Sequence, residues 1–352
     1  MANLVTFIVA LALMILLHEL GHFLAARWMG IPIEEFGIGF PPRLLTLFEA
    51  GGTRYTLNAI PLGGFVRPKV LNDGKDGGEV ADALTVAPPA KQLVVAVAGP
   101  LMNFLIAVVL YTVIFAQQGV PRMDRVAIVG VEPGSPAAAA GLQPEDQILA
   151  VNDVVVTSPG DLHDLIYDHL GEPITMTVQR GEQRITVTLT PRNPPPPTGA
   201  IGIQMSYAVV PASPWVAFGW GIKATGKDIL RVASLPIILV VDSPPDARLL
   251  GYKGMYEMYS QFRAADAEAA REAPQRAFPV NTLVFFIMVT VSLGVFNLLP
   301  IPALDGGRIT VALVELAIRK RLPLSLVNAV NFVGFVLLMG LLLLINLREW
   351  LP

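Results

Sequence analysis

Four apolar stretches, each long enough to cross a hydrocarbon core, constrain this chain more than any other feature of its sequence. A membrane-spanning helix needs about 20 predominantly apolar residues. The stretches that meet this length are Leu4 to Ala26, Leu93 to Phe115, Thr282 to Leu299 and Leu326 to Leu347. Charged residues make up 15% of the 352 residues, against roughly 25% in soluble domains. The sequence therefore predicts a polytopic α-helical membrane protein, and its net charge of −3 argues against a nucleic-acid partner.

The first stretch lies at the N-terminus, where a secretory signal would also lie. It lacks the positively charged segment that begins such signals, and it is interrupted by His18, Glu19 and His22. We therefore expect it to be retained as a spanning helix.

The pentapeptide HELGH at 18–22 is the strongest local motif. Residues four apart share one face of a helix, so His18 and His22 would direct both imidazoles to one point, with Glu19 beside them. Two neutral imidazoles in this arrangement can bind Zn²⁺, and the carboxylate can take a proton from water. Incidental histidines on a surface helix are the alternative. The apolar flanks favour the metal site, because they would put three ionisable groups at membrane depth, where each is costly.

A catalytic zinc needs a third protein ligand. The chain has no cysteine and four histidines, and His163 and His169 belong to a separate module, where we expect surface or groove-lining positions. NLLPIPALDGGR at 297–308 supplies Asp305, after prolines that end an apolar span and before two glycines that permit a tight turn. Asp-Gly is also common in turns, and this aspartate could instead cap a helix that begins near Ile309. The local sequence leaves both interpretations open.

Residues 125–205 have the pattern of one soluble α+β module. In order, the predicted elements are a strand in VAIVGVEP, a short helix in GSPAAAAGL, two short strands around an Asn-Asp turn in EDQILAVNDVVV, a helix in DLHDLIYDHL and a hairpin in ITMTVQRGEQRITVTLTP. This order resembles a bacterial-type PDZ domain. The matching residues are Ser135, Pro136, Ala137, Ala140, Gly141, Leu142, Asp146, Ile148, Val151, Asn152 and Asp153.

HELGH in the first span, a PDZ module in the middle and NLLPIPALDGG near the end together resemble the site-2 protease family of intramembrane zinc metalloproteases. The bacterial regulator of sigma-E protease branch is the most similar one. FGIGFPPRL at 36–44, YTLNAIPLGGFVR at 55–67 and GPLMNF at 99–104 extend the similarity along the chain. Close relatives with two tandem PDZ modules differ from this chain, which has room for one.

The resemblance implies that His18, His22 and Asp305 bind zinc, that Glu19 is the catalytic base, and that Asn297 helps to hold the substrate backbone. It also implies an endopeptidase that cleaves the transmembrane segments of single-span proteins, such as anti-sigma factors or signal-peptide remnants. Such substrates would be cut first by another protease, and the reaction would take place within the lipid bilayer.

A peptide bond in a spanning helix is shielded, because its polar groups are bonded within the helix, so a substrate must be unwound before attack. YTLNAIPLGGFVR alternates like a strand and, with FGIGF, could form a membrane-dipping β-hairpin whose edge pairs with the extended substrate. Gly63 and Gly64 would allow close backbone approach and bind substrate there. An ordinary cytoplasmic hairpin is the alternative.

Lys and Arg in short loops stay in the cytoplasm. The loops after the first span and before the fourth are rich in both residues, so we expect them inside the cell and the PDZ domain outside it. The expected location is a bacterial inner (plasma) membrane, crossed several times. The site would then lie toward the cytoplasmic end of the first span, and cleavage would occur in the cytoplasmic half of the substrate helix.

The fold class predicted is thus a polytopic α-helical membrane protein with four transmembrane helices, a membrane-dipping β-hairpin and an inserted α+β PDZ domain. Its expected segments are a transmembrane helix with HELGH at 1–27, a cytoplasmic or membrane-dipping β region at 28–91, a second helix at 92–116, the PDZ domain at 117–206, an interfacial helical region at 207–279, a third helix with the LDG motif at 280–308, and a cytoplasmic loop and fourth helix at 309–352.

Two other functions compete with the protease. A catalytically silent membrane adaptor would use the PDZ module alone, and it would have no reason to keep three costly polar groups in the bilayer. A metal transporter would need more polar residues along the second and fourth spans, and the fourth offers only Asn328, Asn331 and Asn346.

In the second span, Pro100 and Asn103 of GPLMN fit a kink with an inter-helix hydrogen bond or a catalytic role equally well.

Overall fold

A computed structural model describes residues 2–72, 81–241, 250–274 and 277–351. Part of the expected β region (73–80) and part of the expected interfacial region (242–249) lie outside these residues. In chain order, the helices and strands are α1 (Ala2–Trp28), β1 (Ile33–Ala50), β2 (Thr53–Pro68), β3 (Val70–Asn72), β4 (Ala81–Asp82), α2 (Ala83–Val86), α3 (Pro89–Gln118), β5 (Val120–Val131), α4 (Pro136–Ala139), β6 (Gln147–Val151), β7 (Val154–Val155), α5 (Pro159–Tyr167), β8 (Ile174–Arg180), β9 (Gln183–Leu189), β10 (Ile203–Val210), α6 (Pro214–Val241), α7 (Tyr252–Glu272), α8 (Val280–Leu298), α9 (Asp305–Ile318) and α10 (Leu324–Trp350).

The chain divides into two compact units, one made of Met1–Ile114 and Phe218–Pro352 and the other of Phe115–Ala217. Four helices among the described residues are long and apolar enough to cross a membrane, namely α1, α3, α8 and α10. They coincide with the four apolar stretches, so the expected set of apolar helices is confirmed. Large apolar side chains of α10 such as Leu337 and Leu344 are exposed, which suits contact with lipid better than contact with water.

Strands β1 and β2 form an antiparallel sheet in which both strands bend back and pair twice. Phe36 in the first half of β1 pairs with both Tyr55 and Val66 of β2, and Arg43 in its second half pairs with Asn58. The first half of β1 therefore lies between the two halves of β2. The second half of β2 forms an edge of this sheet among the residues that the structure describes. This arrangement is more extensive than the single hairpin that we expected.

The buried carboxylate of Glu35 holds this sheet together. Glu35 is 1% exposed, and it accepts hydrogen bonds from Thr56 (2.8 Å), Arg43 (3.1 Å) and Arg67 (3.0 Å). Burial alone would raise the pKa of Glu35, but the hydrogen bonds from Thr56 and Arg43 and the charge of Arg67 hold it below its usual value. A buried charge is tolerated when it is paired and hydrogen-bonded, and here it ties three parts of β1 and β2 to one point.

The second unit is an α+β module with one sheet of strand order β10-β5-β6-β8-β9, and with β7 paired to β6. The predicted strands, helices and terminal hairpin of this module are confirmed, and positive φ angles at Asn152 and Asp153 mark the expected Asn-Asp turn. Strand β10 was not predicted. It extends the sheet by pairing with β5 from Ile203 to Val210. The module has its own core, which includes Val126, Ile148, Leu162, Ile174, Met176 and Val178.

The expected helical region 207–279 starts too early, because residues 207–210 belong to β10; two helices occupy most of the rest of its described part. Helix α6 has 28 residues, and its Asp228 accepts a 2.5 Å hydrogen bond from the Tyr111 hydroxyl of α3. Helix α7 buries Tyr259 completely, with ring centroids 5.4 Å from Phe7 of α1 and 5.6 Å from Phe285 of α8. Both helices are thereby packed on the apolar helices of the first unit, and their expected place at the membrane interface stays a prediction.

Candidate metal centre

Helix α1 carries the HELGH motif in its second half. The residues before and after the motif are apolar, and no proline interrupts the helix, so His18 and His22 lie one turn apart on one face. Gly21 lets α3 approach closely, because a Cβ at Gly21 would overlap the carbonyl oxygen of Ala98. Both histidines therefore face α3.

A sharp turn between α8 and α9 positions Asp305. Prolines at 300 and 302 follow the end of α8, and Ala303 adopts φ +72°, a left-handed conformation that costs energy for a residue with a side chain. The amide of Ala303 donates a 3.2 Å hydrogen bond to Oδ1 of Asn331 on α10. A Cβ on Gly307 would lie 2.6 Å from the carbonyl oxygen of Ile301, so the turn is tight enough to require glycine.

Helix α9 begins at Asp305, not near Ile309 as we expected. The two glycines after Asp305 do not form a loop. They lie in the first turn of α9, where they pack against the preceding chain. The expected loop at the start of 309–352 is therefore replaced by helix as far as Ile318.

The structure brings three candidate ligands together. One ligand atom from each of His18, His22 and Asp305 lies within 4.8 Å of the others. Nε2 of His18 and Nε2 of His22 are 3.1 Å apart, and Oδ2 of Asp305 is 3.1 Å from the first and 3.2 Å from the second. Ligand atoms about 2.0–2.2 Å from a tetrahedral zinc would be roughly 3.3–3.5 Å apart. The triangle is thus close to the size that one zinc ion requires.

The hydrogen bonding of His22 also suits a metal ligand. Its Nδ1 lies 2.7 Å from the carbonyl oxygen of Val95, which can only accept, so Nδ1 carries the proton and Nε2 of the neutral ring keeps its lone pair. Nε2 is the atom directed at His18 and Asp305. Two imidazoles and a carboxylate form a donor set that holds catalytic zinc and leaves a fourth position open. The residues present therefore fit the ion.

Glu19 lies beside this triangle at a cavity of about 270 Å³. The cavity is also lined by His22 from α1, by Gln92 and Val95 from α3, and by Arg308 from α9. Asn328 and Asn331 of α10 also line it. The cavity is large enough for a water-sized molecule to reach Glu19 and His22 from this side.

The other predicted site residues are not part of the group of three ligand atoms. Asn297 is partly exposed in the last turn of α8. Gly63 and Gly64 are buried against α1, where a Cβ on Gly63 would overlap Ile15 and a Cβ on Gly64 would lie 2.7 Å from Leu16. Helix packing explains why both positions are glycine, and their role in substrate binding stays a prediction.

Residues of α3 complete the surroundings of the two imidazoles. A Cβ on Gly99 would overlap Nε2 of His22 and lie 2.8 Å from Cε1 of His18. Asn103 is fully buried, and its Nδ2 is placed 3.1 Å from Nδ1 of His18. From its sequence, GPLMN fitted a kink with an inter-helix hydrogen bond or a catalytic role equally well. Its signal was a polar residue and a glycine in an apolar span.

Replacing Gly99 with alanine should weaken zinc binding while leaving the fold intact. The added methyl group would displace the His22 imidazole, and we expect zinc affinity to fall by at least the 10–100-fold that loss of an outer-sphere contact costs. Alanine is favoured over glycine in a helix by roughly 1 kcal/mol, so α3 itself should not be weakened. Zinc affinity is measured by competition with a chelator. Gly340→Ala is the matched control because its Cβ would enter open space. Unchanged zinc affinity in Gly99→Ala would contradict the close approach of α3.

Comparisons with known proteins identify relatives of this chain. Three bacterial relatives, each named "Putative zinc metalloprotease", align over nearly their full length. The Clostridium perfringens protein is 31% identical over 97% of this chain and 96% of its own. The Brucella suis protein is 30% identical over 96% of this chain and 92% of its own. The Nostoc protein is 31% identical over 97% of this chain and 94% of its own. Among solved structures, the PDZ domain of the SdrC-like protein from Listeria monocytogenes matches 24% of this chain and 90% of its own, with 20% identity and a TM-score of 0.21.

Residues 6–341 match the family described as Peptidase family M50. This match covers almost the whole chain, including α1, the α8–α9 turn and everything between them. The resemblance found from the sequence motifs is thereby confirmed. The chain belongs to Peptidase family M50, the site-2 protease family of metalloproteases.

Proposed function

We propose that this chain is an intramembrane zinc metalloendopeptidase that cleaves the transmembrane segments of single-span proteins. One observation carries the proposal: ligand atoms of His18, His22 and Asp305 converge within 4.8 Å, in a unit built on apolar helices of membrane-spanning length. Glu19 lines the adjoining cavity, which gives the site a proton acceptor. Substrates of this class include anti-sigma factors and signal-peptide remnants, which another protease would cut first.

The chemistry that we propose divides between the ion and the chain. When bound, zinc supplies Lewis-acid polarisation of a carbonyl group and lowers the pKa of water toward about 7. Glu19 takes the proton of the attacking water and later passes it to the leaving amine. The Val95 carbonyl fixes the ring of His22, and the turn that ends at Asp305 fixes the carboxylate. Fixed groups of this kind need little reorganisation during reaction.

We propose that the substrate binds as an added strand at the edge of the β1–β2 sheet. A spanning helix must unwind to expose its scissile peptide bond, and an extended backbone then needs new hydrogen-bond partners. The second half of β2 forms a sheet edge, and Gly63 and Gly64 at its start pack against α1 one turn before His18. Exposed apolar side chains of this sheet, among them Leu44, Leu45 and Ile60, support its entry into the membrane.

The proposed orientation places the β1–β2 sheet and the α9–α10 connection in the cytoplasm of a bacterial cell, and the PDZ module outside the plasma membrane. The arginines at the sheet and after α9 support this choice because short loops that keep Lys and Arg stay inside. The external module would act as a size filter or as a docking groove for a cut chain end.

A reconstituted assay tests the proposal. The purified chain is placed in liposomes with a single-span test substrate, and zinc is removed with a chelator and then restored. We expect cleavage to stop when zinc is removed and to return with about one equivalent of zinc per chain. Mass spectrometry should place the cut in the half of the substrate helix that faces the cytoplasm. N-methylation of the substrate backbone near the cut, which removes strand donors, should block cleavage.

Cleavage that continues without metal would contradict the proposal, and a complete lack of cleavage by the zinc-loaded chain on several substrates would favour the adaptor instead. A cut outside the membrane-spanning segment would contradict the intramembrane assignment. Normal cleavage of N-methylated substrates would rule out strand addition but would leave the zinc protease assignment unaffected.

A further inference from the structure

Asn103 is a fully buried amide next to the proposed ligand His18. The residue lies in the middle of α3 and is 0% exposed. Its Nδ2 is placed 3.1 Å from Nδ1 of His18, and its Oδ1 is buried without a hydrogen-bond partner among the residues that the structure describes. The amide therefore has an unused acceptor and one imidazole nitrogen in reach.

The two ends of an amide have nearly the same shape, so its orientation follows from the hydrogen bonds that it can make. If the NH₂ group donated to Nδ1 of His18, the proton of the neutral ring would have to sit on Nε2. Nε2 is the atom that lies 3.1 Å from Nε2 of His22 and 3.1 Å from Oδ2 of Asp305. A protonated Nε2 cannot bind a metal ion. In the opposite orientation, Oδ1 accepts from Nδ1–H and Nε2 keeps its lone pair.

The neighbouring ring already shows this arrangement. Nδ1 of His22 donates to the main-chain carbonyl of Val95, which also belongs to α3. With Oδ1 of Asn103 on Nδ1 of His18, helix α3 would present one acceptor to each imidazole, two turns apart. Both Nε2 atoms would then be free on the side where Asp305 lies.

We propose that Asn103 is a positioning residue that accepts a hydrogen bond from Nδ1–H of His18 and so keeps Nε2 available for metal. The proposal deepens the proposed function and rests on the zinc site described there. Groups that hold a ligating imidazole in this way fix its tautomer and its ring orientation. Asn103 would act only through His18 and would not touch the substrate.

The zinc affinity of the purified chain tests this role. It is measured by competition with a chelator and does not depend on an activity assay. Asn103→Leu keeps the volume and removes the acceptor, and we expect zinc to bind on the order of 10–100-fold more weakly. Asn103→Asp supplies an acceptor and no donor, and we expect affinity equal to or tighter than that of the unsubstituted chain. The two substitutions are similar in size. Weaker zinc binding with leucine but not with aspartate would therefore separate an acceptor role from packing.

Thr290→Val is the matched control. Thr290 is fully buried, and its hydroxyl donates a 3.3 Å hydrogen bond to the main-chain carbonyl of Asn103. The valine variant therefore removes a buried polar contact at the same residue without touching His18. We expect its zinc affinity to be unchanged. Circular dichroism of the zinc-free variants checks that the helices remain formed.

Two results would overturn the role of Asn103. If Asn103→Leu binds zinc with undiminished affinity, the amide only packs. If Asn103→Asp loses as much zinc affinity as Asn103→Leu, the amide donates to His18. If Asn103→Leu does not fold, the aspartate variant alone still decides between acceptor and donor. If the unsubstituted chain binds no zinc, the proposed function itself is refuted, and the role of Asn103 with it.

Discussion

Glu19→Gln should retain zinc and lose cleavage. The substitution keeps the size of the side chain and leaves His18, His22 and Asp305 unchanged, so the ion should stay bound. A carboxamide cannot take a proton from water, and loss of general acid–base catalysis typically slows a reaction by on the order of 10²–10⁴-fold. We expect a decrease of that size in single-turnover cleavage of the test substrate, at full zinc content.

Glu268→Gln is the matched control for this variant. Glu268 is exposed on α7, and the same change of carboxylate to amide there should leave both zinc content and cleavage as they were. Cleavage by zinc-loaded Glu19→Gln at the rate of the unsubstituted chain would remove Glu19 from the mechanism. Loss of zinc from this variant would show instead that Glu19 helps to hold the ion.

Asp305→Ala should lose both zinc and cleavage. It deletes the only carboxylate in the group of three ligand atoms, and two imidazoles alone are fewer than the three protein ligands of catalytic zinc sites. Because outer-sphere changes already cost 10–100-fold in metal affinity, removal of a direct ligand should cost more than about 100-fold. Chelator competition gives the affinity, and the liposome assay gives the activity.

Asp164→Ala, at an exposed position on α5, is the control for Asp305→Ala and should behave like the unsubstituted chain. If Asp305→Ala bound zinc with normal affinity, the third ligand would have to be sought elsewhere. Comparing the two variants separates the proposed roles: Glu19→Gln loses only cleavage, whereas Asp305→Ala loses the ion as well.

The local motifs of the sequence predicted a large part of this structure. Apolar stretches of spanning length identified α1, α3, α8 and α10, because hydrophobic length is a property of consecutive residues. Alternation and turn residues identified most of the second unit, as at the Asn152-Asp153 turn. HELGH placed two imidazoles on one helical face because helical spacing alone decides this.

Features that depend on distant contacts were harder to predict. The local sequence left Asp305 as either ligand or cap, and only the α8–α9 turn brings it beside the imidazoles. Gly99 and Asn103 gave weak signals in an apolar span, since their importance comes from the approach of α3 to α1. Strand β10 was missed because its partner β5 lies far away in the sequence. The double pairing of β1 and β2 likewise requires bends that alternation does not encode.

Zinc-edge X-ray absorption on the purified chain, combined with metal analysis, tests the central claim most directly. The account predicts about one zinc per chain, with two imidazole nitrogens and a carboxylate oxygen at about 2.0–2.2 Å. Asp305→Ala should lose this signal, and Glu19→Gln should keep it. A purified chain with less than about half an equivalent of zinc, or a bound zinc whose spectrum contains no imidazole, would contradict the account.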